Sequence, residues 1–224
     1  LEISRLGRQP MISKNNRYVI SYNGEIYNYI EIKKELEKDG KHFNSNCDTE
    51  VLIESIAHWG IEKTLKKICG MFSFAVWDKK EKIIYLARDR VGIKPLYWSF
   101  QNGIFFFGSQ PKCFMANKLW KKRINQESLS LYFQFGYIAP PNSIYKDTYQ
   151  LNPGHFLTMN YSGNFKINKY WSLINNIEKR NYNHLSENEI KEKLKILLNK
   201  VTGQHLLSDV PLGTFLSGGI DSST

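Results

Sequence analysis

Met71 to Trp77 reads MFSFAVW, Ile83 to Ala87 reads IIYLA, and the polar link Asp78 to Lys82 joins them. Two aromatic, β-branched runs of strand length across a short polar link predict an antiparallel hairpin, and any fold for this chain has to contain it. The pattern repeats twice. Leu96 to Phe100 and Ile104 to Phe107 flank Gln101-Asn102-Gly103, where Asn-Gly favours a type I′ turn. His155 to Met159 and Lys166 to Trp171 flank the polar stretch 160–164. Strands this dense in large apolar residues, placed in series, predict a mainly antiparallel sheet able to bury one good core.

Helical signals surround the hairpins. Tyr18 to Tyr22 predicts a strand that stops in a tight turn at Asn23-Gly24-Glu25. Asn28 and Glu31 form a capping pair for a helix over Tyr29 to Asp39, with Gly40 at its end. Asp48 is placed to cap a second helix that carries Leu52, Ile56 and Trp59 on one face and ends at Gly60. Leu129 to Phe135 reads as a short helix, and Arg88-Asp89-Arg90 as a structural ion-pair cluster. Of the five histidines, none stands at a catalytic or metal-binding spacing from a Cys or Asp.

The pattern changes near residue 172. The reading is one domain over 1–172, a polar linker over 173–185 and the beginning of a second, α/β domain over 186–224. Ser186 and Glu189 form a capping box ahead of Ile190, Leu194, Leu197, Leu198 and Val201 at helical spacing. Leu212 to Leu216 then reads as a strand that delivers Ser217-Gly218-Gly219 into a helix start. Adjacent glycines let backbone N–H groups converge on an anion, serine hydroxyls donate to phosphate oxygens, and Asp221 can hold Mg²⁺ beside them. The spacing of a Walker loop is absent.

Charge and composition bound the remaining possibilities. With 42% hydrophobic and 23% charged residues, the chain is too apolar for disorder. A formal net charge of +10 raises an anionic partner, but the charge is scattered and no aromatic–basic surface for nucleic acid is identified. The longest uncharged stretch, Pro95 to Pro111, is broken by a turn signal, so no membrane span is expected. LEISRLGRQP has no apolar signal core, and Cys47, Cys69 and Cys113 form no metal spacing. The expectation is free thiols in the cytoplasm.

SGGIDSS, Ser217 to Ser223, resembles the pyrophosphate loop of N-type ATP pyrophosphatases, and with DVPLGTFL before it the asparagine synthetase family. YNGEIYNY, DTEVL, GMFSFAVWD, ARDRVGIKPLYW and LNPGH resemble segments of the glutamine-hydrolysing asparagine synthetases. The resemblance implies an α+β fold. It consists of a class II glutamine amidotransferase domain, a four-layer αββα sandwich of the N-terminal-nucleophile hydrolase type, followed by a Rossmann-like ATP pyrophosphatase domain. It implies that Asn23 and Gly24 form an oxyanion hole and that these two with Glu25 and Asp48 bind glutamine. It also implies that Leu216, Ser217, Gly218, Gly219, Asp221, Ser222 and Ser223 bind ATP, with Asp221 on Mg²⁺. The implied reaction converts aspartate to asparagine through β-aspartyl-AMP, using ammonia from glutamine. Its partners are glutamine, aspartate and ATP, with no nucleic acid and no membrane, and a homodimer is compatible with the full-length protein.

The family's nucleophile is an amino-terminal cysteine acting with its own α-amine. This chain begins at Leu1 and its first cysteine is Cys47, so the reading is an internal fragment without activity of its own. Two alternatives stay open at this stage. One is a relative acting on another carboxylate acceptor; the intact Asn23, Gly24, Glu25 and Asp48 argue against a relative that closes a β-lactam ring. The other is a non-catalytic module that binds nucleotide or nucleic acid.

Overall fold

A computed structural model describes residues 5–178, 182, 184–206 and 211–223. The chain divides into two compact units, over 2–179 and 180–224.

The first unit is built on the hairpins. Strands β1 (Met11–Ile12), β2 (Tyr18–Ile26), β3 (Gly70–Asp78), β4 (Ile83–Arg88), β8 (His155–Asn160) and β9 (Phe165–Lys169) form one sheet in the order β1-β2-β3-β4-β8-β9. Strands β5 (Tyr97–Gln101), β6 (Ile104–Gly108) and β7 (Thr148–Gln150) form a second, ordered β6-β5-β7. Every pairing is antiparallel. All three expected hairpins are present. At the tip of β5–β6 both Asn102 and Gly103 have positive φ, 52° and 74°, as a type I′ turn requires.

Both faces of the larger sheet are buried, which explains the unbroken apolar reading of β3. Phe72, Phe74 and Val76 point to a core with Leu52, Ile53 and Ile56 of helix α2 (Asp48–Trp59) and Leu65 of helix α3 (Ile61–Lys67). Ala75 points the other way, into a core shared with Leu86, Leu157, Leu96, Trp98 and Leu151. Helix α1 (Tyr29–Lys38) adds Ile32 and Leu36 against Val51 of α2. Beyond the smaller sheet, Phe106 packs on Phe114 of a 3-10 helix (Pro111–Ala116) and on Trp120. Helices, sheet, sheet and a thin helical layer follow in that order. Helix α4 (Gln126–Phe135) starts three residues before the expected Leu129, because the Asn125 side chain accepts from the N–H groups of Glu127 and Ser128.

Several local expectations are corrected. Asn23-Gly24 makes no turn: β2 runs through it to Ile26, paired with β3 from Tyr18↔Asp78 to Ile26↔Gly70. Nine paired residues override a local turn propensity. Here the glycine serves close packing, since a Cβ at Gly24 would collide with the Met71 carbonyl and lie 2.6 Å from the Phe72 Cα. Asn28 precedes α1, but its side chain caps nothing there. Its Nδ2 donates to the Lys67 carbonyl at 3.0 Å and its Oδ1 accepts from the Cys69 N–H at 2.7 Å, tying α1 to the end of α3.

Arg88-Asp89-Arg90 is structural, but its partners are backbone groups rather than one another. Asp89 accepts from the N–H groups of Phe72, Val91, Gly92, Ile93 and Lys94 at 2.6–3.2 Å. Arg88 donates to the carbonyls of Lys94, Leu151 and Gly92 at 2.8–2.9 Å. Burial holds the Arg88 pKa below its ordinary value. His58, which has no catalytic spacing in the sequence, meets Asp39 at 3.0 Å where the ends of α1 and α2 converge.

The stretch read as a linker contains helix α5 (Leu173–Glu178), and its residues 179–181 and 183 lie outside the described residues. In the second unit, the Ser186–Glu189 capping box starts helix α6 (Glu187–His205) as expected. Residues 212–216 form no strand among the described residues, because no neighbouring segment pairs with them. Residues 209–210 of that approach are not described. Helix α7 (Ile220–Ser223) follows the double glycine. No described helix is long and apolar enough to cross a membrane.

Candidate functional site

The outer edge of β2 gathers the residues singled out near the amino terminus. β1 covers only Val19 and Ile20 of that edge. Beyond it, alternate residues turn their N–H groups away from β3. The Tyr22 N–H donates to Gln9 Oε1 at 2.6 Å and the Ile26 N–H to Asp48 Oδ2 at 3.0 Å. The Gly24 N–H lies between them on the same edge, with no bonding partner among the described residues.

Asp48 is brought to this edge from another element. It is the first residue of α2, not its cap. The cap position belongs to Cys47, and the Asp48 carboxylate is committed to β2. Oδ2 accepts from the Tyr22 hydroxyl at 2.7 Å as well as from Ile26, so one oxygen grips β2 on both sides of Asn23-Gly24-Glu25. Oδ1 carries a 3.3 Å bond from the Thr49 hydroxyl and a long, 3.9 Å approach of the Cys47 thiol. Both contacts on Oδ1 are long, so Oδ1 is the oxygen that can exchange them for a cationic group. Burial, and after it the Asp48 charge, pushes the Tyr22 phenol far above its ordinary pKa, so it stays a donor.

Asn23 lies on the face of β2 opposite the α2 core and is exposed. Its Nδ2 donates to Ser109 Oγ at 3.1 Å, just beyond β6. Glu25 is half-buried beside it, opposite Met71 in the register. The structure thus brings Asn23, Gly24, Glu25 and Asp48 to one strand edge. Gln9, Tyr22, Ile26 and Ser109, which hold or flank them, were not singled out in the sequence. Ser109 lies 86 residues from Asn23, and no local pattern joins the two. An aromatic-walled cavity of about 390 Å³, lined by Trp98, Phe100, Tyr149 and Phe165, includes none of these residues.

In the second unit the 217–223 loop closes on itself. Ser217 and Ser222 Oγ lie 3.0 Å apart, the Gly219 N–H donates to Ser217 Oγ at 3.4 Å, and Ser222 Oγ donates to the Gly219 carbonyl at 3.1 Å. Gly218 has φ 76°, which suits glycine. Leu216, Asp221 and Ser223 are exposed. Among the described residues no three His, Cys, Asp or Glu side chains cluster as a metal site.

A family profile described as "Glutamine amidotransferase domain" matches residues 1–171, and one described as "Asparagine synthase" matches residues 193–224. The chain belongs to the glutamine amidotransferase domain family. It is 38% identical over 220 residues to asparagine synthetase [glutamine-hydrolyzing] 3 of Bacillus subtilis (strain 168), covering 97% of this chain and 35% of that protein. It is 36% identical over 221 residues to asparagine synthetase [glutamine-hydrolyzing] 1 of the same organism, covering 97% and 33%. The chain thus spans about a third of the length of these relatives. Among solved structures, glutamine phosphoribosylpyrophosphate amidotransferase from B. subtilis aligns with a TM-score of 0.50 at 21% identity, covering 73% of this chain and 32% of that one. An allosteric regulatory enzyme of purine biosynthesis aligns at 0.51 and 22%, covering 73% and 31%. At these identities the likeness concerns the fold, and it is that of the class II, N-terminal-nucleophile hydrolase type.

Proposed function

We propose that this chain is part of a glutamine-dependent asparagine synthetase. The first unit binds glutamine and stabilises its cleavage; the second carries the phosphate loop of an ATP-dependent aspartate activation. The observation that carries this reading is the edge of β2, where two N–H donors, Asn23 Nδ2 and the Gly24 N–H, sit beside the carboxylates of Glu25 and Asp48.

Each group suits one part of glutamine. When a nucleophile attacks the side-chain amide, the carbonyl oxygen gains negative charge, and two preorganised donors stabilise it. The carboxylates attract the α-ammonium group. Among Cys47, Cys69 and Cys113, none bonds to Asn23 or Gly24. These 224 residues alone are therefore expected to leave glutamine intact.

The second half of the proposed reaction needs ATP. A side-chain carboxylate oxygen of aspartate attacks the α-phosphorus and breaks the bond to the β-phosphate, and pyrophosphate leaves. The ammonia nitrogen then attacks the acyl carbon, AMP leaves with the bonding pair, and the nitrogen sheds a proton. Backbone N–H groups at Gly218 and Gly219 and the hydroxyls of Ser217, Ser222 and Ser223 suit the departing phosphates, with Leu216 leading into the loop. The serine hydroxyls must exchange their mutual hydrogen bond for phosphate oxygens. The exposed Asp221 carboxylate beside the loop would hold Mg²⁺, and the ion would neutralise phosphate charge.

The test uses the full-length protein with glutamine, aspartate and ATP. Asparagine, glutamate, AMP and pyrophosphate are expected in equal amounts. Glutamate release without asparagine would redirect the reading to another carboxylate acceptor, and no glutamate at all would overturn it.

A further inference from the structure

We infer that Ser109 and Tyr22 are positioning residues of the glutamine site, each holding a different functional group, so that they act on different kinetic constants. The inference rests on the roles proposed above for Asn23 and Asp48.

Asn23 is exposed on its strand face, so packing does not fix its side-chain torsions. Its side-chain amide instead donates to Ser109 Oγ, 3.1 Å from Nδ2. A carboxamide nitrogen has two N–H groups. With one donated to Ser109, the amide plane is set and the other remains for an oxyanion. The support comes from across the sandwich: Asn23 stands in the larger sheet, and Ser109 follows the edge strand of the smaller one. A donor aimed at the developing oxyanion acts in the transition state, so loosening it lowers kcat and leaves KM near its original value.

Tyr22 acts on Asp48. Its hydroxyl and the Ile26 N–H converge on Oδ2 at 2.7 and 3.0 Å, which fixes the carboxylate plane and presents Oδ1. Without the Tyr22 hydroxyl the carboxylate keeps the Ile26 bond on Oδ2 and the weaker 3.3 Å Thr49 bond on Oδ1, and its plane is less firmly set. A carboxylate that captures the α-ammonium group contributes equally before and during cleavage, so loosening it raises KM and leaves kcat nearly intact. Neither residue touches glutamine in this scheme.

The experiment measures glutamate release against glutamine concentration in the full-length protein, for Ser109→Ala, Ser109→Thr, Tyr22→Phe, Asn23→Ala and Asp48→Ala. Asparagine synthesis from free ammonia is measured in each as a control for folding. Ser109→Ala is expected to lower kcat about tenfold with KM within about twofold, and Ser109→Thr, which keeps the hydroxyl, to restore it. Tyr22→Phe is expected to raise KM about tenfold with kcat within about threefold. If Asn23→Ala and Asp48→Ala are defective while either positioning variant is at wild-type kinetics, the inference is overturned. A fall in ammonia-dependent synthesis alongside marks a folding role and overturns it too. If Asn23→Ala and Asp48→Ala themselves leave glutamine kinetics unchanged, it is the site reading that fails.

Discussion

Asp89 is fully buried and accepts five backbone N–H bonds, shared between its two oxygens. It fixes residues 91–94, the turn between β4 and β5, and so sets one sheet over the other. An amide in its place presents one acceptor oxygen and turns N–H groups toward N–H groups. Asp89→Asn is expected to cost about 3 kcal/mol in chemical unfolding, the usual scale for stranding buried donors beside a lost charge. Glu50 works similarly at the start of α2. Burial alone would raise its pKa, but the Ser45 hydroxyl, the Asn44 and Ser45 N–H groups and the Lys14 charge outweigh that and hold it below its ordinary value. A depressed folded-state pKa gives stability that is complete above the unfolded value of about 4.3 and is lost as pH falls through the folded one. Melting temperature should therefore drop more steeply below about pH 4 in the wild type than in Glu50→Gln. Parallel profiles would remove Glu50 from the account.

At the scale of elements, glycines with different surroundings should respond differently to the same change. Gly24→Ala drives a Cβ into the Met71 carbonyl and the Phe72 backbone, and is expected to destabilise by about 2 kcal/mol or more. Gly40, just past the end of α1 at φ 79°, has open space around it, so Gly40→Ala should cost only about 1 kcal/mol of backbone strain. Equal losses in chemical unfolding would show that the β2–β3 contact is not tight. The hairpins were legible because alternation and Asn-Gly chemistry are local. Gly40 and Gly60 ended their helices for the same reason. Asn23-Gly24 misled because nine residues of pairing with β3 outweigh a two-residue turn signal. Asn28 and Asp48 were assigned to caps because capping is the nearest use for such side chains. Their actual partners, Lys67, Cys69, Tyr22 and Ile26, are 22 or more residues away, where no spacing rule reaches. The short strands β1 and β7 and helix α3 carried too few periodic residues to stand out.

Across the whole molecule the two units differ in how they are held. The first has cores on both faces of its larger sheet. Helix α6 of the second has no buried residue, and Ile190, Leu194, Leu197, Leu198 and Val201 are all exposed. A helix without a buried face has little beyond its capping box to make it cooperative. In these 224 residues, the far-ultraviolet helical signal is expected to fall gradually from low temperature while the near-ultraviolet aromatic signal holds until one sharp transition. Coincident transitions would show that α6 is stabilised by the rest of the chain. The central claim concerns the proposed function: the edge of β2 binds glutamine and stabilises its cleavage, and the phosphate loop serves the ATP-dependent step whose product consumes the ammonia. Asparagine formation by full-length Asn23→Ala, supplied in parallel with glutamine and with free ammonia, tests it directly. Removing one oxyanion donor is expected to cost on the order of 10²–10³ in the glutamine-dependent rate and to leave the ammonia-dependent rate near wild type. Equal losses with both nitrogen sources, or none with glutamine, would contradict it.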